Sequence, residues 1–207
     1  MRIVADGIYY AGALVIAGSL FAYFYQHWAA IPLFILAAFC LYFFRDPERI
    51  PPSAEALLSP ADGKVVAIRQ ISPDETRISI FLNIFDVHVN RTPVPGKVTE
   101  VLYRKGKFLV ASLEAASIEN EQNTLVIESD RGRVLCRQIA GVLARRIICY
   151  RRAGDSLSAG ERIGYIKFGS RVDVLFGPAW EPAVKVGDRV KAGSSILAGV
   201  RSAGGSA

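Results

Sequence analysis

The sequence is short of the residues from which most metal and redox centres are built, with three cysteines and two histidines among 207 residues. Cys40, Cys136 and Cys149 have no paired metal-ligand spacing, which argues against a zinc site, and no metal is expected. Their odd number and apolar neighbours fit packed, reduced thiols, with a Cys136–Cys149 disulfide as the lesser alternative. Also absent are the Gly-x-Ser-x-Gly elbow, the phosphate-binding P-loop, His-Glu-x-x-His and the glycine-rich dinucleotide turn. These absences set aside the hydrolase, nucleotidase, zincin and dinucleotide-binding classes that depend on them. Beyond about residue 50 no long helical periodicity remains.

Long hydrophobic runs are present, at one end only. Hydrophobic residues make up 51% of the chain and mean hydropathy is +0.28, an excess carried mostly by the first 44 residues. Gly7 to Gln26 and Trp28 to Phe44 are uncharged and apolar, each within or at the edge of the roughly 17–25 residues that cross a bilayer. Gln26-His27-Trp28 reads as an interfacial turn between them, with no chemistry assigned to His27. Two crossings would put Arg2 and the Arg45–Arg49 cluster together on the cytoplasmic side; a hairpin within one leaflet is the alternative. No small-residue cleavage site follows the first run, so it reads as an anchor rather than a cleaved signal. The net charge of +6 then points to an anionic membrane surface rather than nucleic acid. The expected organisation is a helical membrane anchor over 1–50, ended by the stiff Ile50-Pro51-Pro52-Ser53 segment, and a second domain over 51–207.

In that second domain the pattern alternates. Gly63–Ile68, Thr76–Leu82, Lys97–Tyr103, Thr124–Glu128, Arg133–Ile139, Arg146–Tyr150, Ile163–Lys167 and Arg171–Phe176 read as strands. The expected fold is mainly β, a barrel-sandwich-like domain, with an internal pseudo-repeat. Ser59-Pro60-Ala61-Asp62-Gly63-Lys64-Val65 parallels Thr92-Pro93-Val94-Pro95-Gly96-Lys97-Val98. Gly154-Asp155 through Gly160 parallels Gly187-Asp188 through Gly193. Both pairs share an offset of 33 residues (59 to 92, 154 to 187). The Gly-Asp turns resemble those of biotinyl and lipoyl carriers, which present a lysine usually beside methionine. The only methionine here is Met1, so that likeness is structural.

Phe168-Gly169-Ser170 lies inside a strand-like run, where glycine is disfavoured unless something approaches the backbone. It reads either as a bulge or as a self-cleavage point, with the Ser170 hydroxyl attacking the Gly169 carbonyl. The only histidine outside the apolar segment is His88, and Asp86, His88 and Asn90 are spaced to share one strand face. A proton-transferring histidine needs an orienting group, and either Asp86 or Asp62 could supply it. Lys105-Gly106-Lys107-Phe108-Leu109 reads as a turn or a membrane contact, and Arg145-Arg146 as solvated charge or a phosphate ligand.

Four segments in order, Phe43–Arg49, Ser59–Gly63, Asn83–His88 and Phe168–Ser170, resemble the phosphatidylserine decarboxylase proenzymes of the short bacterial and archaeal type. The likeness runs from about Phe43 to Val200. Longer members carry Leu-Gly-Ser-Thr and a second histidine, where this chain has Arg171 after the serine and Arg91 at the histidine position. The resemblance implies autocatalytic serinolysis between Gly169 and Ser170, giving a large chain 1–169 and a small chain 170–207 that remain paired. Ser170 would become the covalent pyruvoyl (pyruvate) cofactor, whose ketone forms a Schiff base with phosphatidylserine. His88, oriented by Asp62 or Asp86, would serve cleavage, decarboxylation or both. The implied partners are the lipid substrate and the cell membrane, with the catalytic domain on its cytoplasmic face. Two rival readings are a membrane-tethered phosphocarrier phosphorylated on His88 and a non-enzymatic β-barrel scaffold.

Overall fold

The computed structural model describes residues 1–53, 55–111, 114–141, 146–167 and 170–201. The chain divides into two compact units, Met1–Glu48 and Arg49–Ala207.

The first unit is a helical hairpin. Helix α1, Ala5–Phe24, has 20 residues, a rise of about 30 Å and so about one hydrocarbon thickness. Helix α2, Ile31–Phe43, has 13 residues and rises only about 20 Å. The second apolar run is therefore not the single helix its pattern suggested. Pro32, in the first turn of α2, has no N–H and a fixed φ, which suit a helix start and no other helical position. The chain before it winds as a 3₁₀ turn, His27–Ala30. Among the described residues, α1 is the one helix long and apolar enough to cross a membrane. Its buried positions are Gly7, Ala11 and Gly18, while Ile8, Val15, Ile16 and Leu20 are exposed. A Cβ added at Gly18 would lie 3.1 Å from the Phe34 ring, so small residues let α2 come close. At the base Arg2 pairs with Asp46 and Ile3 with Arg45, and the Val4 N–H donates to the Phe44 carbonyl at 2.9 Å. The hairpin's two chain ends thus leave at the same end.

The second unit is mainly β, as expected, and its largest sheet curls into a half barrel. Eight strands lie in the order Ser156–Leu157, Gly96–Arg104, Gln122–Ser129, Gly132–Ala140, Ser170–Phe176, Glu75–Leu82, Gly63–Ser72 and Arg189–Val190. Every neighbouring pair is antiparallel. Three-stranded sheets are made by Ile147–Cys149, Arg162–Ile166 and Val89–Arg91, and by Trp180–Pro182, Ile196–Val200 and Leu57–Leu58. Alternate side chains of the large sheet, among them Ile78, Ile80, Leu125, Ile127, Val172 and Val174, meet in one core.

The sequence repeat is a repeat of hydrogen bonds. Val65 N–H donates to Asp188 O and Val98 N–H to Asp155 O; Gly187 N–H donates to Val65 O and Gly154 N–H to Val98 O. Gly63 and Gly96 start equivalent strands at φ 155° and 153°. A Cβ there would lie 2.2 Å from the carbonyl oxygen of Phe81 or Glu128, so each position admits only glycine.

Candidate active site

Ser170 opens the strand Ser170–Phe176, one residue earlier than the alternation suggested. It pairs with Leu82 on one side and Ala140 on the other. Its side chain shares the inner face with Val172, Val174 and Phe176, which lie in the core. Ser170 is 0% exposed, and its Oγ has no hydrogen-bond partner among the described residues. A hydroxyl buried this way costs about 1–3 kcal/mol, so an orphan of this kind points to use rather than to packing. Phe168 and Gly169, the other members of the expected cleavage site, lie outside the described residues.

His88 is buried, and its Nδ1 lies 2.9 Å from the Asp86 main-chain oxygen. A carbonyl can only accept, so Nδ1 carries the proton and Nε2 is the basic nitrogen. The Ile166 N–H donates to the His88 carbonyl at 3.3 Å, and the chain from Ile166 leads on to Ser170. The Asp86 carboxylate is committed elsewhere, accepting from the Asn83 N–H at 3.0 Å and from Arg189 at 3.1 Å. Asp86 therefore orients His88 through its backbone. Asp62 is buried, with Oδ1 accepting the Ala192 N–H at 2.8 Å and Oδ2 paired to Arg49 at 2.8 Å. Neither carboxylate nor His88 bonds the Ser170 hydroxyl. His88 lies just before the strand Val89–Arg91 and Asp86 sits in the turn closed by its N–H to the Asn83 carbonyl, so Asp86, His88 and Asn90 do not share one strand face as expected; every residue from Asp86 to Val94 is buried. Arg91, in the family's second histidine position, donates to the Gly160 carbonyl at 3.0 Å.

Two polar clusters near Ser170 went unread in the sequence. The first is a file of three buried amides. Asn123 Nδ2 donates to Gln138 Oε1 at 3.1 Å, and Gln138 Nε2 donates to Asn90 Oδ1 at 2.9 Å. Asn90 Nδ2, at the end of the file, has no partner among the described residues. Gln138 is a polar residue on the inner face of Gly132–Ala140, between the core residues Cys136 and Ala140, and that misfit was its one sequence signal. The second cluster lies on the outer face of the sheet. Arg171 is 1% exposed and donates to Asp173 at 2.7 Å, Ser79 Oγ at 2.6 Å and Glu114 at 3.3 Å. Ser117 Oγ donates to Asp173 at 2.7 Å, and Arg77 also pairs with Glu114. Burial pushes the Glu114 carboxyl up, but the Arg77 and Arg171 guanidiniums overcome it and hold the group below its ordinary value.

Within Lys105–Leu109, Lys107 forms a parallel bridge to Asn120 rather than a turn: its N–H donates to Glu119 O at 2.7 Å and its carbonyl accepts the Glu121 N–H at 3.0 Å. Arg146 accepts the Lys167 N–H at its carbonyl, and Arg145 lies outside the described residues. Cys136 and Cys149 are free thiols.

Comparison with known proteins gives these residues their context. The family described as phosphatidylserine decarboxylase matches residues 36–198. A phosphatidylserine decarboxylase proenzyme of Solibacter usitatus (strain Ellin6076) is 56% identical over 198 residues, covering 96% of this chain and 97% of its own. Proenzymes of the same name from Nitrosomonas eutropha and Cupriavidus pinatubonensis are 46% and 48% identical, covering 92% and 83% of this chain and 91% and 82% of their own. The chain belongs to the phosphatidylserine decarboxylase family, a family of enzymes.

Proposed function

We propose that this chain decarboxylates phosphatidylserine to phosphatidylethanolamine with a pyruvoyl group made from its own Ser170. Family membership supports the overall reaction. The observation that carries the mechanism is the buried, unpartnered Oγ at the head of a strand held on both sides.

In self-cleavage His88 Nε2 takes the Ser170 hydroxyl proton, Oγ attacks the Gly169 carbonyl carbon, and the amide nitrogen leaves with the proton. An ester replaces the amide. Loss of the residue 170 Cα proton then expels the Gly169 carboxylate, which carries Oγ away with it. Water replaces the nitrogen of the resulting dehydroalanine, releasing ammonia. The serine CH₂OH becomes a methyl group, so the orphan hydroxyl disappears from a position flanked by Leu82 and Ala140. The residues around position 170 thus fit the group better than they fit serine. The bound pyruvoyl supplies an electrophile for the substrate amine and an electron sink for the bond to departing carbon dioxide. His88, with its tautomer fixed by Asp86 O, returns a proton to the carbon that has lost carbon dioxide. Asp62 holds Arg49 and the Ala192 amide in place beside this region.

The helical hairpin anchors the enzyme to the cell membrane, with the catalytic unit on the cytoplasmic face. Its large apolar side chains point outward from a seam of small ones, the arrangement that lipid favours. A histidine phosphocarrier needs a reachable ring, and His88 is 2% exposed.

The test is the intact mass under denaturing conditions. Two chains split between Gly169 and Ser170, the smaller beginning with pyruvoyl, are expected. Ser170→Ala should give one uncut chain that releases no carbon dioxide from phosphatidylserine; a cut or active Ser170→Ala protein would overturn the reading.

A further inference from the structure

The amide file has a direction. Asn123 gives its N–H to Gln138, and Gln138 gives its N–H to Asn90, so each amide fixes the next and the last ends in a donor. That donor, Asn90 Nδ2, has no partner among the described residues, and Asn90 is 0% exposed. Gln138 is paired with Val172 and its neighbour Ala140 with Ser170, so Gln138 and Ser170 are diagonal same-face neighbours, roughly 7–8 Å apart at Cα. Asn90 is one hydrogen bond from Gln138. Two orphan polar atoms, Ser170 Oγ and Asn90 Nδ2, therefore belong to one interior region.

An N–H donor calls for an oxygen acceptor. Resting on the decarboxylase reading, the geometry points to Asn90 as the residue that binds the substrate's serine carboxylate. When the amine is joined to residue 170, the carboxylate sits on the carbon next to that amine, within side-chain reach of position 170. A neutral amide suits this role better than arginine. The carboxylate's charge drains away as carbon dioxide leaves, so a guanidinium would favour the ground state over the transition state. A single amide donor orients the group at a smaller cost to the reaction. Gln138 and Asn123 are positioning residues behind it.

The test compares two lipids that differ by this carboxylate, short-chain phosphatidylserine and phosphatidylethanolamine in mixed micelles. Asn90→Asp keeps the shape and the acceptor for Gln138 but removes the donor; Asn90→Ala is the second variant. For each, self-cleavage is read by mass, KM and kcat with phosphatidylserine, and the yield of borohydride-trapped phosphatidylethanolamine on the small chain. We expect cut chains, a KM for phosphatidylserine raised about 10- to 100-fold, and phosphatidylethanolamine trapping within about twofold of the parent. Equal losses with both lipids would mean a structural role and overturn the assignment, as would an unchanged KM. A folded but uncut variant would also overturn it by moving Asn90 to the self-cleavage step. If the parent itself is uncut, or traps neither lipid, the decarboxylase reading fails and the inference falls with it.

Discussion

His88 shows how much one backbone contact decides. Because Asp86 offers a carbonyl oxygen to Nδ1, that contact fixes the tautomer and leaves Nε2 as the basic nitrogen. His88→Gln can keep a donor to that carbonyl but has no basic nitrogen. Self-cleavage or carbon dioxide release should fall by about 10²–10⁴-fold, measured as fragment yield over time and as turnover of any cut material. Normal values for both would remove His88 from the mechanism. Glu114 is a second informative residue. Its carboxyl is held below the ordinary value, so the carboxylate contributes stability above the unfolded pKa, and that contribution is lost as pH falls through the lower folded one. Glu114→Gln should destabilise the catalytic unit by about 1–2 kcal/mol near neutral pH, a figure kept low because the group is half exposed and Arg171 retains Asp173 and Ser79. The gap between variant and parent should narrow in acid, as urea midpoints from pH 7 down to 3 will show. A constant gap would mean the ion pairs carry no stability.

At the level of elements, each repeated strand starts from a glycine that cannot be replaced. Gly96→Ala forces a Cβ against the Glu128 carbonyl at 2.2 Å, and about 1–3 kcal/mol should be lost from strain alone, seen as a lower urea midpoint. An unchanged midpoint would show that the strand can shift aside. The elements themselves were largely legible: period-two alternation marked the long strands, and the 33-residue offset marked the paired turns. Short pieces such as Val89–Arg91 and Arg189–Val190 were not, since two or three residues carry no period. Gly169-Ser170 stood out because a glycine sits inside a strand-like run, and His88 because it is the only histidine outside the apolar segment. The amide file did not, because which buried amides meet is set by the pairing of strands distant in sequence. Arg171 gave a misleading signal: it looked like a departure beside the cleavage site, yet it turns to the other face of the sheet, with Asp173, Ser79 and Glu114. Pro32 explains why the second apolar run splits into a turn and a shorter helix.

At the level of the whole molecule, the proposed function assigns anchoring and chemistry to the two units that divide after Glu48. Residues 49–207 expressed alone should fold and cut at the same bond, yet fail to sediment with vesicles that the full chain binds. An uncut or unfolded fragment would show that the helical unit takes part in building the catalytic one. The strand Ser170–Phe176 has one further consequence. It is paired through all seven residues with a strand on each side, Gly132–Ala140 and Glu75–Leu82. If the chain breaks just before Ser170, the two products inherit a finished interface and never have to find each other in solution. Neither encounter nor orientation limits their association, which carries none of the usual loss of translational freedom. Once pulled apart in denaturant, the same two chains face that loss for the first time, and the small one brings to the search a strand that had formed only inside a larger sheet. An assembly formed by such a break is made in one direction, with its stability rooted in the history of the chain as well as in its contacts.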